Sequence, residues 1–94
     1  MKGINERFED VDNEFGDFEK IKNKRSNRPD LHAFLLLDEL FPGDDDIISA
    51  SQHDEFYLNI SADNIEILTD EQILELIRCG VMYNDELECL SMFA

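Results

Sequence analysis

Apolar residues recur early in the chain at Ile4, Phe8, Val11, Phe15, Phe18 and Ile21, in steps of three and four. That spacing puts one side chain per turn on a single face. It predicts one amphipathic helix over residues 4–21, close to a coiled-coil seam. Acids early and bases late suit the helix macrodipole. Gly16 and several Asn and Asp weaken the helix intrinsically, so docking of its apolar face must supply much of its stability. The face has two candidate partners: the rest of the chain, or the same seam of a second copy through Ile4, Phe8, Val11, Phe15 and Phe18.

Residues 23–28 read as a polar, basic loop. Pro29 then suits the first turn of a second helix, with Asn27 or Ser26 near the cap position. Leu31, Phe34, Leu35, Leu37 (or Leu36) and Leu40 give that helix a broad apolar face, and Pro42-Gly43 stops it. His32 on this helix reads as a surface or core histidine rather than a ligand. After the charged turn Asp44-Asp45-Asp46, residues 47–52 and 55–60 read as two strands. In the second, Phe56, Leu58 and Ile60 alternate with Tyr57 and Asn59, a period of two. His53-Asp54 would form the hairpin turn between them.

Ser61 to Leu68 is ambiguous, a short helical turn capped by Ser61 being one reading. Thr69 and Gln72 then form the T-x-x-Q pattern of a capping box, with Asp70 and Glu71 in the favourable first turn. Ile73, Leu74, Leu76 and Ile77 supply the buried face of this helix, and Gly80 suits the position just past its end. Val81 to Tyr83, a turn at Asn84-Asp85-Glu86, and Leu87 to Phe93 read as a second hairpin. The predicted fold class is α+β: helices packed on an antiparallel sheet made of two β-hairpins, in the order α-α-β-β-α-β-β. Whether the two hairpins join is left open.

Charge divides the chain in two. The chain has 94 residues and a net charge of −15, yet residues 1–28 hold seven acids and seven bases and are neutral. Residues 29–94 carry sixteen acids and one base, Arg78. This predicts a charge-segregated N-terminal helix and basic loop over 1–28, followed by a compact acidic body over 29–94. The apolar fraction of 43% is enough for a modest core.

Several classes of function fit poorly. Direct binding to nucleic acid or to an anionic membrane face needs positive charge that the body lacks. The longest apolar run, Ala33 to Leu37, is far short of the ~20 residues of a membrane span. The start has no apolar signal core, and Cys79 and Cys89 form no metal or redox spacing, so a reducing cytoplasmic setting with free thiols is expected. Asp44-Asp45-Asp46 lacks the spacing of an EF-hand loop, and no paired spacing makes a zinc set of His53, Cys79 and Cys89. No nucleophile elbow or phosphate-binding loop is present. No cofactor, metal or catalytic residue is therefore assigned, and an enzyme is not expected.

What remains is the anionic surface. With one base among sixteen acids, few local salt bridges are possible in the body, and solubility alone does not require that repulsion. A cationic partner would turn repulsion into attraction and speed encounter. Candidate contacts are Asp44, Asp45 and Asp46; Asp54 and Glu55; Asp63 and Glu66; Asp70, Glu71 and Glu75; and Asp85, Glu86 and Glu88, with Tyr57, Tyr83 and Phe93 adding area. In size, charge and α+β pattern the chain resembles small acidic phage-encoded inhibitors that mimic nucleic acid, of the anti-restriction, anti-CRISPR and glycosylase-inhibitor types. The resemblance rests on no motif, so it transfers no residue. It implies evasion of host defence by occupying the basic site of a nucleic-acid-binding protein without chemistry. The neutral N-terminal third with its basic run departs from the purest of these mimics. Two alternatives carry over: an immunity protein or antitoxin against a basic nuclease toxin, and a self-associating module that dimerises through the N-terminal seam.

Overall fold

The computed structural model describes residues 3–22, 24–52 and 54–93. The two hairpins join into one four-stranded antiparallel sheet. The first pairs β1 (Ile48–Gln52) with β2 (Glu55–Leu58), and the second pairs β3 (Val81–Asn84) with β4 (Cys89–Phe93). β2 lies beside β4, giving the order β1-β2-β4-β3. Leu58 faces Leu90 and Phe56 faces Met92, while Val81 and Tyr83 face Met92 and Leu90 from the other side. The period-two pattern therefore lines up across three strands and makes one apolar face. The strand after Asp54 ends at Leu58, not Ile60, and the return strand of the second hairpin starts at Cys89. His53 lies outside the described residues.

The helices cover that face. They are α1 (Ile4–Glu9), α2 (Pro29–Leu40), α3 (Ala62–Glu66) and α4 (Asp70–Arg78), so the fold is α+β in the predicted order, with α3 added before α4. α4 starts at a complete capping box: Thr69 Oγ1 accepts from the Gln72 N–H at 3.1 Å, and Gln72 Oε1 accepts from the Thr69 N–H at 2.8 Å. Its buried stripe is Ile73, Leu76 and Ile77, each worth roughly 1.5–3 kcal/mol when fully removed from water. Gly80, at φ +91°, ends it and turns the chain straight into β3. α3 resolves the ambiguous stretch: Ser61 Oγ accepts from the Asn64 N–H at 3.3 Å.

α2 departs from expectation in two places. Its N-cap is Arg28, without a side-chain cap, and Ser26 instead accepts from the Arg28 N–H. Its core-facing residues are His32, Ala33, Leu36 and Leu37, while Leu31 and Leu35 stay largely exposed. The helix is apolar nearly all round, so spacing alone did not choose the buried side.

The continuous helix expected over residues 4–21 does not form. It stops at Glu9, and two 3-10 turns, Asp12–Glu14 and Phe18–Lys20, carry the chain onward around Gly16 at φ +79°. The apolar positions nevertheless turn inward. Phe8 and Ile21 are buried, Ile4, Val11 and Phe18 are half-buried against the same core, and Phe15 is exposed. The seam suggested for self-association is thus largely engaged within the chain. Nor do the described residues of 1–28 stand apart from 29–94. Phe8 packs on Tyr83 with ring centroids 5.8 Å apart, and the Gly16 N–H donates to the Ile77 carbonyl at 3.0 Å.

Candidate functional site

Strand direction sorts the carboxylates. β2 and β4 are antiparallel, with Glu55 opposite Phe93 at one end and Leu58 opposite Leu90 at the other. Asp54 and Glu55, at the β1–β2 turn, therefore lie at the opposite end of the sheet from the β3–β4 turn with Asp85, Glu86 and Glu88. The approach to β1, carrying Asp44, Asp45 and Asp46, lies at the same end as the β3–β4 turn. It is tied to the end of β2 there, where Asn59 Nδ2 donates to the Asp46 carbonyl at 3.3 Å. α3 leaves β2 at that same end and brings Asp63 and Glu66. Glu88, Asp85 and Glu66 all act on Tyr83, whose phenol burial and these carboxylates push above its usual value. The four strands span only ~14 Å, so Asp44–Asp46 and Asp85–Glu88 flank one short edge. All the acids at this end are solvent-exposed: Asp44, Asp45, Asp46, Asp63, Glu66, Asp85, Glu86 and Glu88. Glu88 holds φ +51°, a left-handed turn position uncommon for a residue with a Cβ.

The flank formed by the N-terminal segment has the opposite character. Arg7 reaches across to α3 and α4, donating to the Leu68 carbonyl at 2.6 Å, the Glu66 carbonyl at 3.4 Å and Asp70 Oδ1 at 2.9 Å. Arg25 donates through Nε to Glu39 at 2.9 Å, and its Nη1 lies 3.6 Å from Glu75. Arg78 returns the exchange, meeting Glu14 at 2.8 Å, and Lys20 pairs with Glu14 and Asp17. The hydrogen bond from Arg78, then that from Lys20, holds the Glu14 carboxyl below its usual value, and Glu14 and Asp17 raise Lys20. The scarcity of bases within 29–94 is thus partly offset by cations distant in sequence, a pairing no local spacing signals.

Inside this flank sits His32, fully buried. Its Nδ1 accepts from the Arg25 backbone N–H at 3.0 Å, so the ring proton belongs on Nε2, which lies 3.2 Å from Glu75 Oε2. Phe18 packs edge-on against the ring, and Lys24 Nζ lies 5.2 Å above the Phe18 ring. His32 is a core histidine joining α2, α4 and the basic segment.

The structure therefore separates the thirteen candidate contact acids. Asp44, Asp45, Asp46, Asp63, Glu66, Asp85, Glu86 and Glu88 gather toward one end, and Asp54 and Glu55 lie at the other. Asp70 is engaged by Arg7, Glu75 by His32 and Arg25, and Glu71 is exposed on the first turn of α4. One acid the sequence reading passed over, Asp38, joins the acidic end beside Asp45 and Asp46. Its signal was present in the sequence, in two acids, Asp38 and Glu39, placed in the last turn of a helix.

Cys79 is buried and Cys89 half-buried, both as free thiols; burial, aided by Glu75, pushes the Cys79 thiol up to about 12. Among the described residues no group of three or more His, Cys, Asp or Glu is placed to hold a metal ion, and no helix is long and apolar enough to cross a membrane. Comparison with protein-family models, curated proteins and solved structures gives no significant match.

Proposed function

We propose that this chain is a non-enzymatic inhibitor whose acidic end occupies the basic nucleic-acid-binding site of a partner protein. The observation that carries the reading is the contrast just described. Asp44, Asp45, Asp46, Asp85, Glu86 and Glu88 stand exposed at one end of the sheet, and no ion pair among the described residues reaches them. Arg7, Lys20, Arg25 and Arg78 form their ion pairs elsewhere in the molecule. Such an end offers rows of anions on a rigid scaffold, the electrostatic counterpart of a groove built to hold phosphates. The partner would be a nuclease, a restriction or CRISPR effector, or another DNA- or RNA-binding factor, met in the cytoplasm.

The test uses a panel of immobilised basic nucleic-acid-binding proteins, with an equally basic protein lacking a nucleic-acid groove as control. Capture should be specific to members of the panel, should be displaced by duplex DNA or RNA, and should weaken steeply between low and high salt. Capture that ignores salt, or that nucleic acid does not displace, overturns the reading.

A further inference from the structure

We propose that the apolar cleft between the N-terminal segment and β3 is a docking site for a positively charged, amphipathic segment of a protein partner, which lays a large apolar side chain against Phe15 and Phe93. This goes beyond the function proposed above. β3 and β1 are opposite edges of the sheet, so the cleft lies away from Asp44–Asp46, and its ligand need not bind nucleic acid. The cleft has a volume of about 430 Å³, within the range of ligand sites.

Apolar surface predominates in its lining. Phe8 and Ile77 are buried there, and Met82 and Tyr83 are half-buried. Phe15 and Phe93 remain 43% and 56% exposed beside them. Phe15 is the one member of the N-terminal apolar series left exposed, since the left-handed turn at Gly16 follows it directly. A single exposed apolar residue needs no explanation, but two large rings bordering one apolar cleft mark an interaction surface. Met82 between them is flexible and polarizable, which suits the cleft to a leucine, methionine or phenylalanine of the partner.

The same cleft carries charge that the chain does not answer. Glu9 and Asp12 line it and are exposed, and no ion pair among the described residues reaches either. Glu9 meets the neutral amide of Asn5, at 3.4 Å. Arg78 and Lys20 go instead to Glu14, two residues further along the segment. A ligand that suits the whole site therefore joins an apolar side chain to Lys or Arg, and this fixes the occupant. A second copy would set Glu9 and Asp12 near their own counterparts on a molecule of net charge −15, and an anionic membrane face repels them likewise. A small apolar molecule would leave both carboxylates unanswered.

The test is an amide-resolved NMR titration of the full chain with acetyl-Lys-Leu-Phe-Lys-Leu-Lys-amide. Two controls have the same length, one with Gln in place of Leu and Phe, the other with Glu in place of Lys. The first peptide should give saturable shifts centred on residues 5–15, 82–83 and 93, with both controls several-fold weaker. Phe15→Ser combined with Phe93→Ser should weaken it by about tenfold while leaving Tm within ~4 °C, because both positions are exposed. Glu9→Gln combined with Asp12→Asn, also exposed, should weaken it several-fold and flatten its salt dependence. Equal binding of either control, unchanged binding by both double variants, or shifts centred on residues 44–46 or 85–88 overturn the assignment. A free chain that sediments as a dimer, and as a monomer in F15S/F93S, gives the cleft to a second copy and overturns it as well.

Discussion

The flank clasped by the N-terminal segment and the open end of the sheet carry the same kind of side chain in opposite circumstances. On the flank, Glu14, Glu39, Asp70 and Glu75 each meet a guanidinium, an ammonium or the His32 ring. At the open end, Asp44–Asp46 and Asp85–Glu88 meet none among the described residues. Since the chain has only eight bases, each one placed on the flank is withheld from the far end. The fold thereby sorts the acids of the chain, with Glu14, Glu39, Asp70 and Glu75 paired on the flank and the open end exposed as net anion. A carboxylate on the first side contributes to holding the molecule together. On the second it opposes folding and is available for recognition.

Substitutions can break or sharpen this contrast, and the largest effect is expected at the root of the clasped flank. Phe8→Asp places a charge at a position 4% exposed, between α1 and Tyr83. It should cost ~3–5 kcal/mol in urea or thermal unfolding. A variant that folds normally and merely sediments differently would show that this face belongs to an assembly and not to the flank.

The next comparison sets the two kinds of acid against each other. Glu75→Gln removes the carboxylate charge between the His32 ring and Arg25 and should destabilise by a few tenths to about 1 kcal/mol. The triple change D44N/D45N/D46N should do the reverse, stabilising by a few tenths to about 1 kcal/mol through relief of repulsion. It should also slow association with a basic partner at low salt. Equal signs for the two sets of variants would dissolve the distinction.

The smallest effect is a pH signature at Glu14. Its pKa is lowered in the folded chain, so the stability it contributes is complete above its ordinary value of 4.5 and is lost as pH falls through the folded value. The Tm gap between wild type and Glu14→Gln should therefore be present at pH 7 and close as pH falls from 4.5 through the lowered folded value. A gap that persists unchanged in acid would mean that the Arg78 and Lys20 contacts do not depend on the carboxylate charge.

Much of the fold was readable because its signals are local. The Thr69–Gln72 capping box, the Ser61 cap and Gly80 past α4 act over three or four residues, and each stands where the sequence placed it. The alternation through Phe56 and Leu58 likewise identified the core face of β2. The N-terminal helix was misread because the spacing of its apolar residues is real but its backbone cannot sustain it. Gly16 takes a left-handed conformation, and 3-10 turns keep the same side chains facing inward. The pairing of β2 with β4 and the reach of Arg7 to Asp70 join residues far apart in sequence, and a single chain carries no pattern for either. At the candidate site, the acidic excess was plain from composition. Its gathering toward one end followed only from strand order and from the capture of Asp70, Glu75 and Glu39 on the flank.

The bonds that close this flank also set an order of events during synthesis. Arg7 reaches the Leu68 carbonyl, the Gly16 amide reaches Ile77, and Glu14 reaches Arg78. This segment thus leaves the ribosome ahead of its partners, which are made some sixty positions later. Until they emerge, it waits with its cations and phenylalanines uncovered, and completion of the native state is a late, non-local closure rather than a progressive assembly from the N-terminus.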